Sequence, residues 1–122
     1  MTQMNGGAAV VETLRAAGVT HVFGLLGSST MEVYDALYDA DDIKYVGVRH
    51  EAFGVHMSDG FARAKGSPGV FLAGQAGPGS VNMVAGLAAA KLAYSPVVCI
   101  TGLVATDHFG RDAFQEVDQQ NL

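Results

Sequence analysis

Glu51, in Arg49-His50-Glu51, follows the short apolar run Tyr45-Val46-Gly47-Val48 and precedes Phe53, Met57 and Phe61 at helical spacing. The run reads as a strand covered on both faces, so Glu51 stands where a strand hands over to a helix. Open α/β sheets bind their ligands there, outside the carboxyl ends of the strands. A carboxyl group flanked by apolar neighbours at such a place is a candidate for proton transfer. Read alone, the same residue is more simply an acid that suits the positive end of a helix dipole.

A second chemical stretch is Gly74-Gln75-Ala76-Gly77-Pro78-Gly79-Ser80-Val81-Asn82. It follows a strand and opens a helix, as a nicotinamide or flavin dinucleotide fingerprint does. The details do not match: Asn82 stands in place of the third glycine, Pro78 occupies the tight turn, and no acidic residue ends a following strand. Glycines here instead favour close approach of a ligand to the backbone. His50 and His56 flank Glu51 without a second His or Cys at ligand spacing, so no metal site is expected.

The elements that must position these residues alternate. Ala8 to Ala17 is an amphipathic helix stopped by Gly18, and His21 to Leu26 is a strand. Ser29 and Glu32 have capping-box spacing before the helix that carries Met31, Tyr34, Leu37 and Tyr38. After the Glu51 helix come a strand over Val70 to Ala73, an alanine-rich helix over Ser80 to Ala93, a break at Ser95-Pro96, and a strand over Val97 to Thr101. Such alternation requires crossover helices between parallel strands. The expected architecture is doubly wound α/β: a mostly parallel sheet with helices on both faces, in one domain over residues 1–122. The polar stretch Thr106 to Asp118 is expected to loop over the strand ends. No further helix or strand closes the sheet before Leu122, so a continuation is expected.

Seven basic and twelve acidic side chains give a net charge of −5, with the basic residues scattered, so nucleic acid is not an expected partner. The single cysteine, Cys99, sits in an apolar run and excludes an internal disulfide. The N-terminus lacks a signal-peptide pattern, and the longest apolar stretch is interrupted by Lys91 and Pro96. A cytoplasmic protein with no membrane partner is expected.

Taken together, Val22-Phe23-Gly24, Arg49-His50-Glu51, Met57 to Arg63, Gly77-Pro78-Gly79-x-x-Asn82, Tyr94 to Val98 and Asp112 to Glu116 resemble the N-terminal pyrimidine-binding domain of thiamine diphosphate enzymes. The acetolactate synthase branch is nearest, with sulfoacetaldehyde acetyltransferase and benzoylformate decarboxylase close by. The resemblance runs from Asn5 to Asp118. It implies that Glu51 hydrogen-bonds the pyrimidine N1′ of thiamine diphosphate and activates the cofactor for attack on a 2-keto acid. Such an acid favours the tautomer that takes the proton from thiazolium C2. Val48, Phe53 and Val55 would form an apolar surround that favours its protonated form.

By the same resemblance, Gly77, Pro78 and Gly79 line the pyrimidine pocket and Asn82 helps fix the ring. Gly27 and Ser28 face the substrate, and Phe114 with Gln115 touches the acceptor end. Ser28 alone is as readily a cap for the next helix, and the Phe114 segment a loop cover. Many relatives carry proline where this chain has Leu26. Decarboxylases related to pyruvate decarboxylase carry an adjacent His pair; Asp107-His108 here argues against that branch.

Mg2+ and the diphosphate would be held by a partner domain not present in these residues. That domain would belong to the same longer chain, to a second subunit, or to a separate polypeptide as in sulfopyruvate decarboxylase. A homodimer or homotetramer is expected, since a lone pyrimidine-binding domain exposes an apolar face. Carboligation, plain decarboxylation and a non-catalytic remnant that only binds other proteins remain as alternative readings.

Overall fold

The computed structural model describes residues 3–122. Helix α1 (Gly6–Ala16) leads into β1 (His21–Leu25), a 3-10 turn (Ser28–Thr30), α2 (Met31–Tyr38), β2 (Lys44–Gly47), α3 (Glu51–Lys65), β3 (Gly69–Ala73), α4 (Pro78–Leu92) and β4 (Val97–Thr101). A 3-10 turn, Gln119–Asn121, follows the long loop after β4. All strand pairs are parallel, in the order β2-β1-β3-β4. The chain winds outward from β1 to β2, then crosses back to β3 on the other side, so the switch point lies between β1 and β3.

Alternation along the strands builds two cores. Val22, Val70 and Leu72 meet Val11 and Leu14 of α1 and Val33, Tyr34 and Leu37 of α2 on one face. Phe23, Phe71 and Ala73 meet Val55 of α3 and Met83 of α4 on the other. The expected doubly wound α/β arrangement is therefore present, with helices on both faces.

Local chemistry sets the helix limits. Asn5 Oδ1 accepts the Ala8 N–H at 2.8 Å, which starts α1 two residues before the expected Ala8. Helix α3 begins under His50, whose Nδ1 accepts the Ala52 N–H at 3.2 Å. It ends at Gly66, whose φ of 68° suits a left-handed stop, after Arg63 and Lys65 in the last turn. Along its inner side α3 is small: Gly54 lies on the Phe71 ring, and Ser58 Oγ donates toward the Gly54 and Val70 carbonyls at 3.0 and 3.1 Å. Arg63 grips Asp59 at 2.8 and 2.6 Å and holds its carboxyl below the usual range.

Three sequence expectations are corrected. The strand before Glu51 is an edge strand, half-buried, because β1 is its only neighbour among the described residues; Tyr45 and Val46 still pack on opposite faces. Phe53 and Met57 face outward, at 64% and 43% exposure, because the glycine and serine side of α3 is the one that fits the sheet. Ser29 and Glu32 do not form a capping box. A 3-10 turn displaces the helix start to Met31, and Ser29 Oγ accepts the Ala76 N–H at 3.1 Å instead.

Glycine contacts give a paired test of this packing. A Cβ on Gly86 of α4 would lie 2.7 Å from Val55 Cβ, which is fully buried, whereas Gly60 on α3 has open space around it. Gly86→Ala should destabilise by about 1–3 kcal/mol through overpacking. Gly60→Ala should stabilise by about 0.5–1 kcal/mol through helix propensity. Urea unfolding midpoints of the two variants are expected to move in opposite directions.

Candidate active site

The first residue of α3, Glu51, is 7% exposed. Its Oε2 accepts from Asn82 Nδ2 at 2.9 Å, across the gap between α3 and α4. Gly79, one turn before Asn82 on α4, faces the other oxygen: a Cβ there would lie 3.3 Å from Glu51 Oε1 and 3.2 Å from Gln75 Cβ. The missing side chain thus keeps the approach to Glu51 Oε1 unblocked. Of the surround expected for Glu51, Val48 and Val55 are buried, and Phe53 stands in solvent.

The start of α4 is built for a sharp entry. Gly77 caps it at φ 58°, a conformation that suits glycine, and Pro78 fills the first turn, where a missing N–H costs nothing. Gly77 also lies against the loop after β4: its own Cβ would meet the Gln115 carbonyl at 2.0 Å, and its N–H donates to Gln119 Oε1 at 3.0 Å. Ser80 Oγ and Thr101 Oγ1, 2.5 Å apart, tie the same helix end to β4.

At the switch point the backbones themselves meet. A Cβ on Gly27 would lie 2.4 Å from the Gly74 backbone, and one on Gly74 would lie 2.0 Å from the Gly27 nitrogen. The Ser29 N–H donates to the Gly74 carbonyl at 2.8 Å, and the Gly74 N–H to Leu25 at 2.9 Å. Beneath them the Tyr34 hydroxyl reaches the Leu25 and Leu72 carbonyls at 2.9 and 2.8 Å, and burial pushes its pKa well above the usual phenol range.

Glu51, Gly79 and Asn82 are therefore brought together, and Gly77, Ser28 and Gln115 lie on the neighbouring loops. Phe114 parts from Gln115 and is 84% exposed. The residue that joins these loops is Gln75, to which the sequence motifs assign no role of its own. Its Oε1 is 3.2 Å from both the backbone N and the Oγ of Ser28, and its Nε2 donates to Gln115 Oε1. The signal that pointed to it was its place two residues beyond β3, at a strand's carboxyl end. Cys99 is half-buried, and burial pushes its thiol up to about 12, consistent with a packing role. Among the described residues no group of three or more His, Cys, Asp and Glu could hold a metal ion.

Comparison with known families bears directly on this geometry. Residues 4–122 match the family described as thiamine pyrophosphate enzyme, N-terminal TPP binding domain. The chain belongs to the thiamine pyrophosphate enzymes. It is 44% identical over 119 residues, 98% of its length, to the probable acetolactate synthase large subunit of Methanocaldococcus jannaschii, of which it covers 20%. It is 50% identical over 119 residues, again 98% of its length, to acetolactate synthase isozyme 2 large subunit of Escherichia coli, of which it covers 21%. This thiamine pyrophosphate enzyme domain thus spans about a fifth of the length of the curated relatives it matches. Among its described residues no helix is long and apolar enough to cross a membrane.

The two left-handed glycines near the site separate strain from collision. Gly110 has φ 75° and open space, while Gly77 has φ 58° and the Gln115 carbonyl against it. Gly110→Ala should cost about 1–2 kcal/mol from backbone strain alone. Gly77→Ala should cost measurably more in the same unfolding titration, because the loop after β4 must also move.

Proposed function

We propose that residues 1–122 form one pyrimidine-binding domain of an acetolactate synthase-like thiamine diphosphate enzyme that acts on 2-keto acids, with Glu51 as the group that activates the cofactor. The observation that carries this reading is the buried Glu51 carboxyl, held by Asn82 on one oxygen and left open on the other by Gly79.

The residues present fit the pyrimidine end of the cofactor. Gly79 offers backbone without a side chain beside the acid, a cradle that a Cβ would narrow, while Gly77 lets the turn pack against the Gln115 carbonyl. When bound, the cofactor supplies the electron sink that makes decarboxylation of a 2-keto acid accessible. The chain's own part is position and a proton. Asn82 can only donate through Nδ2, so it fixes which way the Glu51 carboxyl turns and leaves Oε1 toward the gap at Gly79. Oε1 would hold the proton shared with the pyrimidine N1′. Ser28 and Gln115, on the loops after β1 and β4, would face the substrate and acceptor, with Gly27 and Phe114 beside them.

Ligation of the two-carbon or larger fragment to an acceptor is the favoured outcome, supported by the acetolactate synthase relatives. The diphosphate and Mg2+ would be held by a further domain. Relatives about five times as long support its place in the same chain. The outward apolar residues Phe53 and Met57, on the helix that Glu51 begins, support a packed partner there, as in a homodimeric or homotetrameric enzyme. An intact Glu51–Asn82 pair weighs against a remnant that only binds other proteins.

Two measurements test the reading. In the full-length enzyme, Glu51→Gln should slow exchange of the cofactor C2 proton by at least about 100-fold; exchange at the parent rate would remove Glu51 from the role. The 122-residue chain alone should bind thiamine diphosphate weakly or not at all by calorimetry, and micromolar affinity would contradict the half-site reading.

A further inference from the structure

The amide of Gln75 has no freedom to choose its orientation. A backbone N–H only donates, so the end of Gln75 that lies 3.2 Å from the Ser28 nitrogen must be oxygen. The opposite end, Nε2, then faces the loop after β4 and donates to Gln115 Oε1. Gln115 is fixed in turn: its oxygen is taken by Gln75, and its own Nε2 has no protein partner among the described residues.

The loop that carries Gln115 is set from its backbone as well. Gln115 has a left-handed φ of 60°, and its carbonyl lies against Gly77. Glu116 accepts from the Gly110 and Ala113 N–H groups, which closes the turn around it. Only the side-chain amide of Gln115 is left to be oriented, and Gln75 is what touches it. Gly79 lies between Gln75 Cβ and Glu51 Oε1, so this relay of amides starts beside the acid assigned to cofactor activation.

We infer that Gln75 is a positioning residue that sets the polarity of the acceptor subsite: the Ser28 N–H, through Gln75, makes Gln115 present an NH2 donor rather than a carbonyl oxygen. A donor there selects an acceptor that carries an oxyanion, such as the carboxylate of a 2-oxo acid, over a neutral aldehyde. This rests on the proposed function, which supplies the acceptor. The orientation of Gln115 rests on hydrogen-bond chemistry alone.

The test is Gln75→Glu in the full-length holoenzyme. A carboxylate still accepts from Ser28 but offers no donor, so Gln115 must turn its NH2 inward and its oxygen outward. With pyruvate as donor, glyoxylate and acetaldehyde serve as acceptor probes that differ by a carboxylate. KM for glyoxylate is expected to rise about tenfold or more, the loss of one charge-assisted hydrogen bond. KM for acetaldehyde should stay within about twofold. Equal changes for both acceptors, or no change for either, would overturn the inference.

Gln75→Met, close in size and without polar atoms, is the second variant. It should raise KM for glyoxylate but not for acetaldehyde, and the same equal or null results would count against it. Side-chain amide NMR of the full-length protein labelled with 15N-glutamine needs no turnover. In Gln75→Glu the Gln115 NH2 should shift downfield and exchange more slowly once bonded to carboxylate. That change in a protein that ligates neither probe would uphold the orientation and sink the functional reading; an unchanged Gln115 resonance would sink the inference whatever the activity.

Discussion

Between the ends of β1 and β3, Gly27 and Gly74 pack backbone against backbone, with no room for a side chain on either. The contact matters because the switch point of a doubly wound sheet is where two loops turn away from each other and leave a crevice. Here the Ser29 N–H and the Gly74 carbonyl, with the Ala76 N–H and Ser29 Oγ, lace the two loops together. The turn after β3 is thereby held at a fixed height above the sheet. Gln75, Gly77 and Gly79 take their places from it, and Glu51 is reached across Gly79.

The rest of the molecule serves that height. Gly54 on Phe71, Gly86 on Val55 and Gly69 under Ser58 bring α3, α4 and β3 closer than side chains would allow. Dispersion and burial favour such contact because each atom gains near neighbours, at the cost of glycine's larger conformational entropy loss. Close approach of α3 to α4 is what lets Asn82, on a residue that itself faces solvent, reach a nearly buried acid at 2.9 Å. The site is polar where helix ends meet and apolar beneath, an arrangement in which a few hydrogen bonds fix orientation without competition from water.

The element order and the parallel, two-faced sheet were legible from the alternation of apolar runs and glycine or proline breaks. Glu51 and the Gly77-Pro78-Gly79 turn were legible from their position after strands. Three features were not, each because a distant contact overrode a local signal. Ser29 matches a helix cap in sequence, yet its hydroxyl is claimed by the Ala76 N–H, 47 residues away. Phe53 and Met57 mark the apolar stripe of α3, but the sheet selects the opposite side, where Gly54, Ser58 and Ala62 fit closely. The 3-10 turn before α2 follows from the lacing of Ser29 to Gly74, which no helix propensity encodes.

By itself the sequence determined the fold class, the family and the acid at a strand's end, because these depend on periodicity and on residue types at fixed spacing along the chain. Tertiary structure alone decided which oxygen of Glu51 is held and which is free, that β2 is an edge, that Phe114 and Gln115 separate, and that Gln75 joins three loops. The Glu51 and Gln75 contacts share one physical reason. Hydrogen-bond partners and steric gaps between residues 31 to 47 positions apart depend on how closely backbones approach, and that distance is set by which side chains are missing at the contact.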